Sequence, residues 1–170
     1  MSDEALTPRA SAPFLVVNLN PTVQKTLRFD EVRIGEVNRA DDNRTDASGK
    51  GVNVVRVLQQ LGNQAMLLTH VGGPGSEQFL AGCRDDDIPV ETVDGATGVR
   101  TCTTVIERST NTTTELIETT GPVAPDTQRR LFQRFTELVV RFGTVILTGS
   151  TAPGYSDTLF AEMTAFGRNR

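Results

Sequence analysis

Apolar residues in this chain come in two rhythms, short continuous runs and helical stripes, and the two alternate along most of its length. Val16 to Leu19 is an unbroken apolar-rich run closed by Asn20 and Pro21, the pattern of a strand buried on both faces. Ala65 to Val71 and Val145 to Leu147 are runs of the same kind and are expected to be the second and third core strands. Between them, Val54, Val55, Leu58 and Leu61 recur at helical spacing, predicting a helix over 51–61 that Gly62 stops. Ser76 is placed to cap a second helix through Cys83, with Phe79 and Leu80 inward. Leu131, Phe132, Phe135, Leu138, Val139 and Phe142 mark the clearest helix, opened by Asp126 and ended by Gly143. A last helix starts at Ser156, with Leu159, Phe160, Met163 and Phe166 facing inward.

Strands alternating with helices imply an α/β fold, three layers around a mainly parallel central sheet. Two segments fit that sheet badly. Leu27 to Ile34 alternates at period two at its start, Gly35 makes a turn, and Val37 to Arg44 is polar enough for an edge strand or hairpin arm. Val99 to Glu107 and Thr113 to Glu118 form a Thr-rich hairpin around residues 108–112. Their half-polar character suits a sheet with one wet face.

Length and charge narrow the picture. A chain of 170 residues suits one domain with a sizeable core. The net charge of −4 and scattered basic residues do not suggest nucleic-acid binding. Two cysteines, Cys83 and Cys102, make neither a disulfide framework nor a zinc site. No apolar run approaches the length needed to cross a membrane. Residues 1–13 are polar, lack the regions of a secretion signal, and read as a disordered leader; the cytoplasm is the expected compartment.

The segment Asp46-Ala47-Ser48-Gly49-Lys50-Gly51-Val52-Asn53 carries the most chemistry. Gly49 and Gly51 let a ligand approach the main chain, the first amides of the helix point outward without internal partners, and Lys50 adds a full positive charge. It is not a Walker A loop: Arg44 and Gly51 stand where that motif needs a glycine and a Ser or Thr. Alone, the segment is equally an ordinary strand-to-helix connection with a solvated lysine.

In combination with Phe14 to Val17, Asn18-Leu19-Asn20-Pro21, Gly35-Glu36-Val37-Asn38-Arg39, Val71-Gly72-Gly73, Thr97 to Thr101, Thr114-Glu115-Leu116, Leu147-Thr148-Gly149-Ser150 and Ala152-Pro153-Gly154, the loop resembles the first half of the PfkB family of ribokinase-like carbohydrate kinases. The likeness runs from about Phe14 to the C-terminus and is nearest to the branch that phosphorylates phosphorylated ketohexoses, 1-phosphofructokinase and tagatose-6-phosphate kinase. The resemblance implies that segments 23–47 and 96–118 form a small β lid over the sugar site, which in relatives also makes a dimer contact. It implies a substrate class of fructose 1-phosphate, fructose 6-phosphate or tagatose 6-phosphate, with ATP and magnesium as the full-length family's cofactors. The family's second half carries the nucleotide pocket, the magnesium motif and a Gly-Ala-Gly-Asp turn that supplies the catalytic base. No Gly-Ala-Gly-Asp occurs in this chain. The expectation is therefore a residue 14–170 domain truncated at its C-terminal, nucleotide half, with no catalytic residue, no metal ligand and no useful kinase rate.

The substrate-binding candidates are Asn20, Gln24, Gly49, Lys50, Gly51, Asn53, Arg100 and Ser150. Asn20 stands either as a donor to sugar hydroxyls or as a strand-end turn residue. Asn53 is either a cleft residue or one making local helix-start bonds. Lys50 and Arg100 are the candidates for the substrate's phosphate, Arg100 because a guanidinium suits bidentate contact; apart from the resemblance, Arg100 reads as a solvated strand residue. Ser150 follows a core strand at the carboxyl edge, where open α/β sheets bind ligands, and is otherwise a turn or helix-start residue. Gln24 stands where the family has an aspartate, and Ser48 replaces the second glycine of a Gly-Gly-Lys-Gly loop, a strained position if it needs positive φ and otherwise a helix cap. His70, on a core strand, is expected to be a satisfied structural residue. Alternative readings are a non-catalytic sugar-phosphate-binding module and an oligomerisation remnant. The expected truncation leaves an uncovered strand edge and a poorly packed last helix, so a homodimer through the lid or the sheet edge is expected.

Overall fold

The computed structural model describes residues 12–169, so most of the expected leader at 1–13 lies outside the described residues. Four strands form an all-parallel sheet in the order β5-β4-β1-β8: β1 (Phe14–Asn18), β4 (Ala65–Val71), β5 (Val90–Asp94) and β8 (Thr144–Thr148). A second sheet has the order β3-β2-β6-β7, from β2 (Thr22–Phe29), β3 (Asp42–Ser48), β6 (Arg100–Glu107) and β7 (Thr112–Ile117). Within it β2 and β6 are parallel, and the outer strands β3 and β7 are antiparallel to their neighbours.

Helices α1 (Lys50–Gln60) and α2 (Ser76–Asp85) lie on one face of the parallel sheet, and α3 (Thr127–Leu138) and α4 (Leu159–Arg168) on the other. Strand β1 alternates between the two cores. Leu15 and Val17 join the α3–α4 side, Val16 joins the α1–α2 side, and all three have no exposed surface. That is why the run reads as continuous rather than alternating.

Several boundaries move. The first strand of the second sheet is 22–29 and begins directly after Pro21, whereas the alternation at 27–34 suggests a later start. Residues 30–41 lie outside strands; there Asn38 holds the main chain of Arg33 through two 2.8 Å bonds, Oδ1 accepting from its N–H and Nδ2 donating to its carbonyl. Strand β5 was not anticipated, because Pro89 and the polar Glu91, Thr92 and Asp94 mask a strand that pairs on one side only. Ser76 is not a cap. Gly75, in the left-handed region at φ 82°, precedes the helix, and Ser76 Oγ bonds the N–H and C=O of Gly72 at 2.8 Å each. The last helix begins at Leu159, not Ser156, whose hydroxyl instead bonds the main-chain N–H of Thr158 at 3.2 Å. Strand β8 is an edge strand of this sheet, with residues 145–148 only half buried. The expected loose face of α4 is packed: Leu159 and Met163 are buried, and Phe166 stacks edge-on against Phe132 and Phe135 at 5.9 and 6.2 Å.

Candidate functional site

Between the carboxyl ends of β1 and β8, the start of α1 and the inner face of the second sheet lies a cleft of about 310 Å³. Its walls include Asn20, Gln24, Gly49, Lys50, Asn53, Arg100 and Ser150. Seven of the eight residues singled out from sequence are thus brought together from four separate stretches of chain. Gly51 is the exception. It packs under the site, where a Cβ would meet Asn18 Cβ at 2.5 Å, so its role is to let α1 lie close on β1.

The loop is built as a ligand-approach point. Gly49 has φ 113°, a conformation few other residues adopt, and precedes α1 without any side-chain cap. Asn53 is the first of α1 whose N–H finds a helical carbonyl, Gly49 O at 3.1 Å, so the amides of residues 50–52 stand at the positive end of the helix. Ser48 ends β3 and is absent from the non-glycine residues with positive φ, so it carries no strain, and it caps nothing.

Charges inside the cleft are unbalanced. Arg100 spends only Nε, donating to Thr22 Oγ1 at 3.3 Å, and neither Arg100 nor Lys50 has an ion-pair partner among the described residues. Glu115 is the one carboxylate of the lining. By contrast, Arg56 behind the cleft is fully engaged, donating to Asp86 Oδ2 at 2.9 Å, to Ala47 O at 2.7 Å and to Asn53 Oδ1 at 3.0 Å. Asn53 therefore has its carbonyl oxygen tied to the helix it starts on.

Asn20 is also committed. Its Nδ2 donates to Ser150 Oγ at 3.2 Å and its Oδ1 accepts from Thr120 Oγ1 at 2.8 Å, so it sets the positions of Ser150 and the 118–120 segment. Gln24 donates from Nε2 to Thr104 Oγ1 at 2.5 Å, which turns its amide oxygen free of that bond. The lining also includes residues that sequence patterns did not single out as site residues: Asn18, Thr22, Cys102, Glu115 and Ile117. Asn18 was hidden as the polar end of an apolar strand; the others face the cleft only because β2, β6 and β7 pair as they do. His70 is remote from this chemistry. It is 1 % exposed, its Nδ1 lies 2.9 Å from the Tyr155 hydroxyl, and burial lowers its pKa to about 4.

A parallel sheet with polar and cationic side chains at its carboxyl ends, and a second sheet contributing the rest of the cleft wall, defines an α/β protein with a polar cleft where open α/β sheets bind ligands. Residues 17–170 match the family described as pfkB family carbohydrate kinase, and the chain belongs to that family. Over 102 residues it is 33% identical to a 1-phosphofructokinase of Xanthomonas campestris pv. campestris, a match that covers 60% of this chain and 32% of that protein. A possible 1-phosphofructokinase from Thermotoga maritima superposes with a TM-score of 0.83 at 21% identity, over 92% of this chain and 51% of the other. Phosphofructokinase-2 from Escherichia coli, solved in complex with fructose-6-phosphate, gives 0.81 at 19% identity, over 93% and 52%. The fold is thus the ribokinase-like one, and the chain spans about half the length of these solved proteins. No helix among the described residues is long and apolar enough to cross a membrane.

Proposed function

We propose that the cleft binds a phosphorylated ketohexose and is the substrate half of an ATP-dependent sugar-phosphate kinase of the 1-phosphofructokinase type. The observation that carries this reading is the pair of cations without ion-pair partners among the described residues, Lys50 and Arg100, in the lining of one cleft with hydroxyl and amide groups of Asn20, Gln24 and Ser150. A phosphate needs fixed positive charge and a polyol needs neutral donors and acceptors; both kinds of group line this cleft. The Escherichia coli relative with fructose-6-phosphate supports the same ligand class. Segments 23–47 and 96–118 act in this reading as the lid, and the cytoplasm is the compartment it implies.

The lining does not fit ATP with its magnesium. Magnesium is held through carboxylates and phosphate oxygens, and Glu115 is the only carboxylate at hand. No broad apolar surface for a nucleobase lines this cleft either. In this reading the 170 residues by themselves bind the sugar phosphate and do not transfer phosphate. Titration calorimetry with fructose 1-phosphate, fructose 6-phosphate and tagatose 6-phosphate, beside a coupled ADP-release assay, tests both halves. Saturable binding of one of them without ADP release is the expected result. Absence of binding to all three removes the reading, and turnover above a host-kinase-free background removes the claim of inactivity.

A further inference from the structure

Two asparagines two positions apart at the end of β1 are in opposite condition. Asn20 has its amide nitrogen and oxygen both bonded. Asn18 is more deeply buried, 1 % exposed, and its Nδ2 has no hydrogen-bond partner. Its main-chain carbonyl is taken by Thr69 Oγ1 at 2.6 Å, so only the side chain is unspent. Nearly all buried amide groups in folded proteins are paired, and one left over is destabilising.

The surroundings are shaped to this carboxamide. A Cβ on Gly49 would lie 3.0 Å from Asn18 Nδ2, one on Gly149 3.3 Å from Oδ1, and one on Gly51 3.2 Å from Cγ. Gly49 and Gly149 both have positive φ, 113° and 85°, so two loops, one from each side of the cleft, use glycine to close on the same side chain. The strand itself asks for something else: Asn is a poor strand former, and the run before it is Leu15-Val16-Val17. Propensity, burial and hydrogen bonding all oppose an asparagine here, and such local conflicts are characteristic of functional positions.

We propose, resting on the sugar-phosphate reading of the cleft, that Asn18 is a ligand-binding and specificity-determining residue. Its Nδ2 donates to a hydroxyl oxygen of the sugar at the cleft floor, while Lys50 and Arg100 hold the phosphate. Asn18 lines the cleft between Gly49 and Gly149, where no Cβ stands over its carboxamide. A ligand with no oxygen at that point leaves the donor unpaired, as it is in the free chain, and forgoes that bond, so discrimination is the gain made by the ligand that supplies the oxygen.

The test uses the 170-residue chain, ¹⁵N-labelled, titrated with each of the three sugar phosphates and separately with inorganic phosphate. The Asn18 side-chain amide resonances are expected to move with the sugar phosphate that binds and to stay in place with inorganic phosphate. Asn18→Leu is expected to weaken that sugar phosphate at least ten-fold, leave inorganic phosphate within two-fold, and raise the Tm of the free chain by removing an unpaired donor. If Asn18→Leu does not fold, Asn18→Val and the wild-type resonances decide. Unmoved Asn18 resonances at saturating sugar phosphate, unchanged affinity in a folded variant, or equal losses for sugar phosphate and inorganic phosphate each overturn the proposal. A wild-type isotherm flat for all three sugar phosphates overturns the cleft reading itself, and this inference with it, before any variant is made.

Discussion

Arg100 keeps its guanidinium oriented through one bond to Thr22 and leaves its two terminal nitrogens without partners among the described residues. Lys50, exposed at the start of α1, has its ammonium similarly uncommitted. Replacing either with Met removes a charge-assisted contact, so sugar-phosphate affinity is expected to fall by about 1.5–3 kcal/mol, read by calorimetry. Binding should also weaken with added salt, because the cleft is open to solvent. His70 makes a different prediction. Burial holds its folded pKa near 4, below the ordinary 6.5, so between those values the unfolded chain binds more protons than the folded one. Its contribution is complete above about pH 6.5 and is lost as pH falls towards 4, a total of roughly 3 kcal/mol. Urea unfolding at pH 7 and pH 5 measures the drop; a His70→Gln variant should show a smaller one, and an equal drop would assign it to other groups.

At the scale of elements, two contacts lock the helices to the second sheet. Arg56 on α1 reaches Asp86 after α2 and the Ala47 carbonyl of β3, with both charged side chains less than one-third exposed. Gly82 on α2 lies so close to β3 that a Cβ would meet Ala47 N at 2.5 Å and Ala47 Cβ at 3.0 Å. Gly82→Ala gains helix propensity but must push α2 off the strand, with an expected net loss of about 1–3 kcal/mol. Arg56→Met strips an acid and a buried carbonyl of their donor and is expected to cost a similar amount, about 1.5–3 kcal/mol. Denaturant melts of the two variants check both values; a neutral Gly82→Ala would mean that β3 yields easily.

For the whole molecule, the surfaces that remain uncovered are specific. Among the described residues strand β8 pairs only with β1, and beside it Val145, Leu147, Phe142 and Met163 line a groove of about 570 Å³ with α4. On the second sheet β7 is exposed along its whole length, including Leu116 and Ile117 at 59 and 56 %. An unpaired strand edge and exposed apolar strand residues both favour association. The 170-residue chain is expected to self-associate, seen as a rising mass in light scattering across a concentration series. A sharp monomer at high concentration would show that these edges are protected as they stand.

The order of elements, the parallel character of the central sheet and the loop at 46–53 were legible in the sequence because each is a local matter. Strands buried on both faces read as apolar runs, helices with one buried face read as stripes, and positive φ at Gly49 and Gly62 requires residues of that kind. Of the seven candidate residues in the cleft, Asn20, Gly49, Lys50, Asn53 and Ser150 could be picked out from strand-end and helix-start positions, whereas Gln24 and Arg100 came only with the family resemblance. Tertiary structure alone decided which of them are free. Asn20, Asn53 and Gln24 turned out to be bonded to partners 130, 3 and 80 positions away, while Asn18, which looked like the polar tail of a strand, keeps an unpaired donor. The extent of β2, the existence of β5, and the placing of Glu115 and Cys102 in the cleft likewise followed from pairing partners distant in the chain. Hydrogen-bond satisfaction is a property of the assembled fold: a donor's need is written in its residue type, but whether the need is met depends on what folding brings beside it.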